Sequence, residues 1–335
     1  MENQALNAAW GGRTRLACAG RLVLGPDRRT LAAAVCFIVV PYAVFLSRQG
    51  PDLGARLSWA PQAVVAALGA ATVLVLLRTA TSDPGIKMRV PHGMAPSEMP
   101  VATVNGRDVQ LVWCRTCLRV RGPRTHHCAV CDNCVTRFDH HCPWVGTCIG
   151  ARNYRTFFLL IHLAALSAGG VAALCGLQVY LVHDDEGYSV GGVLKRWPDS
   201  VIIGSWCALL TAALGFLCGF HVYLVFKNIT TYEFYKGTGK EDLFGQGCVK
   251  NIADACCVLP PTELKREALQ ELAQGGIPRG LLEENLKYAG GLDTATKAAE
   301  GASMYQGTGL PSPHSPQLGN RVAPLPQYVD DPYAP

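Results

Sequence analysis

Four long runs of apolar, uncharged residues alternate with polar segments along this 335-residue chain. The runs cover residues 30–47, 57–77, 156–182 and 200–226. A helix rises about 1.5 Å per residue, so about 20 residues cross the roughly 30 Å hydrocarbon core of a bilayer. The pattern therefore predicts a mostly α-helical membrane protein with four transmembrane helices, the first of them kinked at Pro41.

The polar segments complete a division of the chain into six parts. Residues 78–153 are far too many for a turn and predict a separate domain between helices 2 and 3. Residues 48–56 and 183–199 are predicted loops, and short helices are predicted at 262–274 and 280–289. The expected parts are a basic N-terminal arm (1–29), helices 1 and 2 (30–77), the cysteine-rich domain (78–153), helices 3 and 4 (154–226), a C-terminal segment (227–292) and a Pro-, Gly-, Ser- and Thr-rich disordered tail (293–335).

Charge supports the membrane interpretation and gives the chain an orientation. Charged residues make up only 16% of the chain, well below the roughly 25% of soluble domains. Four spans place both termini and the 78–153 loop on one side, which carries five arginines in residues 1–29 and ten basic residues in the loop. The positive-inside rule therefore predicts a cytosolic cysteine-rich domain. Nucleic acid is not an expected partner, because no basic stripe with interleaved aromatic residues is present.

The stretch 114–148 holds the densest chemistry of the chain. Seven of the fifteen cysteines fall here, together with four histidines. They are Cys114, Cys117, Cys128, Cys131, Cys134, Cys142 and Cys148, with His126, His127, His140 and His141. Cys-x-x-Cys pairs are typical of zinc sites, whereas disulfides would require an oxidising compartment. Two Cys₃His sites would use six cysteines and two histidines, and one cysteine would be left over.

The leftover thiol is a candidate nucleophile, and Cys142 fits that role best. Asp139, His140 and His141 immediately precede it, so a general base and an orienting carboxylate lie within three residues. Either His140 or His141 could be the base, with the other as a metal ligand. Simple sequential use of the ligands would give Cys114, Cys117, His127 and Cys128 to one zinc ion.

The run Asp139-His140-His141-Cys142-Pro143-Trp144 resembles the DHHC-type protein S-acyltransferases, or palmitoyltransferases. Two further elements match that family, namely Asp83-Pro84-Gly85 after the second run and Thr230-Thr231-Tyr232-Glu233 after the fourth. The resemblance implies two structural zinc ions in interleaved sites. One site would be Cys114, Cys117, His127 and Cys134, and the other Cys128, Cys131, His141 and Cys148.

The same resemblance implies an activity and roles for the remaining residues of the motif. Cys142 would take an acyl group from a long-chain acyl-CoA, mainly palmitoyl-CoA, and pass it to cysteine thiols of membrane-associated proteins. His140 would act as base and Asp139 would orient it. The expected location is the ER, Golgi or plasma membrane, with the active site facing the cytosol.

Five residues are candidates for binding the acyl donor. By resemblance, Arg121, Arg124 and His126 would contact the coenzyme A head group, although arginines here could instead offset the negative charge of Cys₃His zinc centres. Trp144 would lie near the thioester. Ser167 would end the cavity for the acyl tail, or would simply allow close helix packing.

Two other functional classes remain as alternatives at this point. Cross-braced Cys/His ligands also build RING-type ubiquitin-ligase modules, but such a module has no use for the spare Cys142. An inactive scaffold that binds partners is the second alternative. Thr230, Thr231, Glu233 and Asn251 are expected only to pack the C-terminal segment against the active-site domain.

Overall fold

The computed structural model describes residues 4, 6, 7, 10–90, 93, 95–238, 243–278 and 281. In this part of the chain, four helices are long and apolar enough to cross a membrane, each with a mean hydropathy of 2.0 to 2.2 over a stretch of 18 residues. They span Arg28–Arg56, Ala60–Ala80, Tyr154–Asp184 and Pro198–Lys227, and we name them spans 1 to 4. The prediction of four candidate membrane helices is confirmed. The predicted tail, and the predicted helix 280–289 apart from Leu281, lie outside the described residues.

Span 1 is longer than the sequence pattern indicated. Its α-helix Arg28–Val44 contains Pro41, continues through a π-helical turn at Phe45–Gln49 and ends in a second α-helix, Gly50–Arg56. The predicted loop at 48–56 is therefore wrong. The helix persists because its polar residues find partners: Asp52 accepts hydrogen bonds from Arg56 and from Gln178 of span 3, both at 3.1 Å.

Spans 3 and 4 also extend past their apolar runs. The helix of span 3 continues to Glu186, and the left-handed Gly187 (φ 65°) ends it. A short helix, Val190–Arg196, follows within the predicted loop 183–199, and the Ser189 hydroxyl caps it by accepting the Gly192 N–H at 3.2 Å. Span 4 runs from Pro198 to Lys227 and ends at the left-handed Asn228 (φ 50°).

The spans pack through an apolar core while exposing apolar side chains outward. Phe45, Val65, Val171 and Cys207 come from different spans and share one buried cluster. Gly69 lets spans 1 and 2 approach closely, because a Cβ there would lie 2.6 Å from the Tyr42 ring. The outward faces carry large exposed apolar residues, as expected of helices that meet lipid.

The cysteine-rich region is built from short antiparallel hairpins. Val112–Cys114 pairs with Arg119–Arg121, His126–Cys128 with Asn133–Val135, and His140–Cys142 with Thr147–Ile149. Ile86–Lys87 adds an edge strand to Asn133–Val135, and Val101–Val104 pairs with Arg107–Gln110. An isolated hairpin of such short strands is marginally stable at best, so contacts between the hairpins must stabilise this region.

The N-terminal residues form part of this domain. Arg15–Ala17 and Leu22–Leu24 pair as a hairpin, which the sequence pattern had not indicated. Leu16 and Val23 are buried in one cluster with Cys128, Cys131 and Cys148. The basic arm therefore lies directly against the cysteine-rich region.

Three short helices follow span 4 in the described residues, at Thr231–Lys236, Cys248–Cys256 and Arg266–Ala273. The last begins four residues later than predicted, because the Thr262 hydroxyl donates to Asp83 at 2.6 Å. The Glu263 carboxylate then pairs with buried Arg119 at 2.9 Å, which anchors this segment to the cysteine-rich region. Asn251 is buried, as its expected packing role requires, and donates to the Phe226 carbonyl at 2.7 Å.

Candidate active site and metal clusters

Two groups of metal-ligating side chains occur among the described residues, each with three thiols and one imidazole within 4.8 Å of one another. The first group is Cys114, Cys117, His127 and Cys134, and the second is Cys128, Cys131, His141 and Cys148. The two sets interleave along the chain, because the hairpin of His126–Cys128 and Asn133–Val135 gives His127 and Cys134 to the first group and Cys128 and Cys131 to the second. We name them cluster 1 and cluster 2.

The geometry of both clusters fits a tetrahedral zinc ion. Zn–S and Zn–N bonds of about 2.3 and 2.0 Å at tetrahedral angles require S···N separations of roughly 3.5 Å. The observed Sγ···Nδ1 distances are 3.4 to 3.8 Å in cluster 1 and 3.3 to 3.7 Å in cluster 2. In each Cys-x-x-Cys turn, the second cysteine also donates its N–H to the first sulfur at 3.4 Å. The donor set therefore suits a thiolate-bound metal.

Cys142 lies outside both clusters, the one cysteine of the fully described stretch 114–148 that does. It ends the strand His140–Cys142 and is 8% exposed. It shares an apolar cluster with Leu76 of span 2 and with Phe157 and Ile161 of span 3. The thiol is thus held beside the apolar side chains of spans 2 and 3.

A hydrogen-bonded histidine and carboxylate adjoin this thiol. His140 Nδ1 lies 2.7 Å from Asp139 Oδ2, and the Asp139 side chain is almost fully buried. The Thr231 N–H donates to the other carboxylate oxygen at 2.8 Å, and the Tyr232 N–H donates to the Asp139 carbonyl at 3.0 Å. The carboxylate is therefore fixed on both sides, and it fixes the ring in turn.

The electrostatics of the pair favour an ionised Asp139. Burial alone would raise the pKa of Asp139, but the hydrogen bond from His140 and the Thr231 N–H together hold it below its ordinary value. Burial lowers the pKa of His140, but Asp139 and the Cys142 thiol raise it by more than that. The pKa of His140 is therefore raised to about 9. His140 is therefore a stronger base than a free imidazole.

The residues Thr230 to Glu233 form a capping box at the start of their helix. The Thr230 hydroxyl accepts the Glu233 N–H at 3.1 Å, and the Glu233 carboxylate accepts the Thr230 N–H at 2.8 Å. This arrangement presents the free N–H of Thr231 to Asp139. Sequence reasoning assigned these residues a packing role, although the Thr-x-x-Glu spacing carried the signal of a helix start.

A family model described as DHHC palmitoyltransferase matches residues 108–238, which include both clusters, Cys142 and the capping box. The chain belongs to this family. The resemblance drawn from the motif is confirmed, and the protein is a protein S-acyltransferase. The RING-type alternative is excluded.

Relatives from plants and mammals align over most of the chain. Protein S-acyltransferase 8 of Arabidopsis thaliana is 33% identical over 76% of this chain and 69% of its own length. Human palmitoyltransferase ZDHHC18 is 35% identical over 76% of this chain and 72% of its own. Mouse palmitoyltransferase ZDHHC9 is 32% identical over 91% of each chain.

Arg124, one of the expected donor contacts, makes several bonds inside this S-acyltransferase. The guanidinium of Arg124 is buried and bonds the Glu233 carboxylate twice at 2.7 Å. It also donates to the Asn228 side chain and carbonyl, both at 3.0 Å. Arg124 thus has a partner inside the protein at each of its three guanidinium nitrogens. It connects the cysteine-rich region to the capping box.

The other four candidates for donor binding occupy separate positions. Arg121 is buried in the strand Arg119–Arg121, and the His126 ring stacks on Tyr232 with centroids 4.0 Å apart. Trp144 is 55% exposed, with its ring 6.0 Å from Phe37 of span 1. Ser167 is buried in span 3, with its hydroxyl 3.4 Å from that of Thr72 in span 2.

Two histidines within the spans make ordinary hydrogen bonds inside the protein. His221 Nδ1 lies 3.0 Å from the Tyr154 hydroxyl, and His162 donates to the Phe158 carbonyl at 2.7 Å. His221 nevertheless borders the active site, because its ring centroid is 6.3 Å from that of His140. The Phe157 ring packs edge-on against both.

We expect Glu233→Gln to destabilise the protein strongly. Glutamine can keep the capping box but leaves the Arg124 charge buried without a counter-ion, and losing one partner of a buried pair costs about 3–5 kcal/mol. Thermal unfolding of the detergent-solubilised protein measures the effect. Arg48→Gln is the control, because Arg48 is 65% exposed in its pair with Asp199 and should contribute at most about 1 kcal/mol. Equal melting temperatures for the two variants would contradict the role of the Arg124 pair.

Proposed function

We propose that this S-acyltransferase carries its acyl group on Cys142 between an acyl-CoA donor and the thiol of a protein substrate. One observation carries the proposal. In the stretch 114–148, Cys142 is the thiol left outside the two clusters, and it lies between the His140–Asp139 pair and the apolar spans. Palmitoyl-CoA and other long-chain acyl-CoAs are the proposed donors.

In the first step, His140 takes the proton of the Cys142 thiol, and the thiolate attacks the thioester carbonyl carbon of the donor. The new carbon–sulfur bond replaces the bond to coenzyme A, which leaves as a thiolate. It takes the proton from His140. Asp139 keeps the ring oriented and stabilises the imidazolium between the two transfers.

In the second step, the substrate cysteine repeats the same chemistry in the opposite direction. His140 takes the proton of the substrate thiol, which attacks the carbonyl carbon of acyl-Cys142. The Cys142 thiolate leaves and recovers the proton from His140. The acyl group now lies on the substrate, and the enzyme returns to its starting state, so the scheme is ping-pong.

The clusters are proposed to hold two zinc ions, which would supply structural cross-links when bound. Cys128, Cys131, His141 and Cys148 would fix the turn that carries Cys142, because two of these ligands flank it in sequence. His141 is then committed as a ligand. His140 is left as the base, and the exchanged assignment of the two histidines is disfavoured.

Contacts with the donor are proposed from the family resemblance. Arg121, Arg124 and His126 remain the proposed contacts for the coenzyme A head group. Trp144 follows the nucleophile and meets span 1 with an exposed ring, which supports a position near the thioester. The acyl tail would enter between the spans beside Cys142.

The division into six parts and the orientation are likewise proposals. The arginines of residues 1–29 and the basic residues of the 78–153 loop support a cysteine-rich domain in the cytosol. The substrates would be membrane-associated proteins with cysteines near the bilayer surface. An endomembrane of the ER or Golgi, or the plasma membrane, would house the enzyme.

Acyl loading of the purified full-length protein tests this function directly. The protein in detergent is incubated with an alkyne analogue of palmitoyl-CoA, and the label is detected after gel separation with and without hydroxylamine, which cleaves thioesters. We expect hydroxylamine-sensitive label on the chain and about two zinc ions per chain by elemental analysis. Absence of label from a zinc-loaded, folded protein would refute the proposed intermediate.

We expect Ser167→Tyr to shorten the preferred acyl chain. Ser167 is buried between spans 2 and 3, so a tyrosine ring there would occupy space that a long tail would otherwise fill. Competition between acyl-CoAs of 14, 16 and 18 carbons would measure the preference, with Ser167→Ala as the small matched control. One methylene of the acyl chain is worth about 1–3 kcal/mol in such discrimination. An unchanged chain-length profile in Ser167→Tyr would mean that Ser167 only permits helix packing.

A further inference from the structure

Cluster 2 has a polar neighbour that comes from a distant part of the chain. Asp27, at the start of span 1, places its Oδ2 2.5 Å from Nε2 of His141. Because Nδ1 of His141 faces the three thiols of the cluster, Nε2 carries the ring proton and donates a hydrogen bond to the carboxylate. Histidine ligands of metals almost always donate their second N–H to a carboxylate, a backbone carbonyl or water, which fixes the tautomer and the ring orientation.

The Asp27 carboxylate does not cap the helix that begins at Arg28. Aspartate at the N-cap usually accepts a backbone N–H of the first turn, but the side chain of Asp27 makes no such bond. It is turned toward His141 instead. The side chain therefore lacks the usual N-cap hydrogen bond and is bonded instead to a residue 114 positions away in sequence.

The backbone around Asp27 also reaches the turn between Cys142 and Cys148. The Asp27 N–H donates to the Gly146 carbonyl at 3.4 Å. Gly25 approaches the same carbonyl so closely that a Cβ there would lie 1.9 Å from its oxygen. Span 1 is thus joined to the nucleophile turn by two contacts of Asp27, one through its side chain and one through its backbone.

We propose that Asp27 is a positioning residue that holds His141 in cluster 2 and thereby couples the start of span 1 to the turn that carries Cys142. The inference rests on the proposed zinc occupancy of the cluster. Cluster 1 has a weaker counterpart: Asp132 Oδ1 lies 3.4 Å from Nε2 of His127, and Asp132 also pairs with Arg89 at 2.6 Å. Asp132 therefore provides a matched comparison within the same protein.

The test measures which cluster loses metal, with the purified full-length protein. Zinc release to an excess of a coloured chelator is followed over time, while a thiol-alkylating reagent labels the freed cysteines for peptide mapping. Asp27→Asn should speed release of one of two zinc ions by about 10- to 100-fold. Cys128, Cys131 and Cys148 should be labelled early, whereas Cys114, Cys117 and Cys134 should be labelled at the wild-type rate.

Two further variants make the result decisive. Asp27→Glu keeps a carboxylate and should restore most of the metal retention, whereas Asp132→Asn should produce a much smaller change, confined to cluster 1. Unchanged release from Asp27→Asn, or equal loss from both clusters, would overturn the proposal, because the contact would then be either unnecessary or a general fold contact. Wild-type protein without zinc would instead refute the metal sites themselves, so the two failures are distinguishable.

Discussion

Cys142→Ser should abolish both self-acylation and transfer to substrate while leaving two zinc ions in the protein. A serine hydroxyl ionises far less readily than a thiol, whose free pKa is near 8.5, so the base cannot generate an equivalent nucleophile. Loss of a catalytic nucleophile removes most of the rate enhancement, and we expect a fall of at least about a thousandfold. Labelled acyl-CoA loading and elemental analysis on the same preparation measure both quantities.

Cys148→Ser is the matched control for this experiment. Cys148 lies six positions after Cys142 and is also buried from solvent, but its sulfur faces the other ligands of cluster 2. We expect this variant to lose one zinc ion and to become sensitive to protease. If Cys142→Ser lost a zinc ion as well, Cys142 would be a ligand, and the assignment of the nucleophile would have to be abandoned.

The sequence predicts the spans and the metal ligands because their signals lie in short stretches of neighbouring residues. Four apolar runs indicate spans by length alone, and the cysteine spacing indicates metal ligands by number and type. The ends of the helices could not be predicted as well from the sequence. The extension of span 1 through Gly50–Arg56 depends on the contact of Asp52 with Gln178 of span 3, 126 positions away, which is not visible in a window of neighbouring residues.

The remaining features of the site depend on contacts between distant segments. The family resemblance suggested Arg124 as a contact for coenzyme A, whereas its partners in the structure, Asn228 and Glu233, are about a hundred positions away. The contact of Asp27 with His141 is similarly remote. A charge in a sequence does not reveal whether its partner is a ligand or a residue of the same protein, and only the fold decides between them.

Asp139→Asn should reduce the rate of acyl loading by about a thousandfold or more while leaving the fold intact. The asparagine oxygen can still accept the Thr231 N–H, but its amide presents a donor to His140 Nδ1 where the carboxylate presented an acceptor. The ring then favours the tautomer with its proton on Nε2, which cannot take a proton from Cys142. The same substitution in the serine-protease triad lowers kcat by about 10⁴. Single-turnover loading measures the rate, and zinc content monitors the fold.

Thr231→Pro tests the same carboxylate from its other side. Thr231 is the first residue of its helix, where proline is tolerated, and Thr230 before it has the extended backbone (φ −92°, ψ 161°) that proline requires. The substitution thus removes the N–H that Asp139 accepts and leaves the helix in place. A hydrogen bond to a charged group contributes about 1.5–3 kcal/mol, so we expect a fall in loading rate of roughly 10- to 100-fold. Thr231→Ala keeps the N–H and should load almost as fast as wild type. If Thr231→Pro also loaded at the wild-type rate with full zinc content, the His140–Asp139 pair would not depend on the capping box, and its proposed positioning would be wrong.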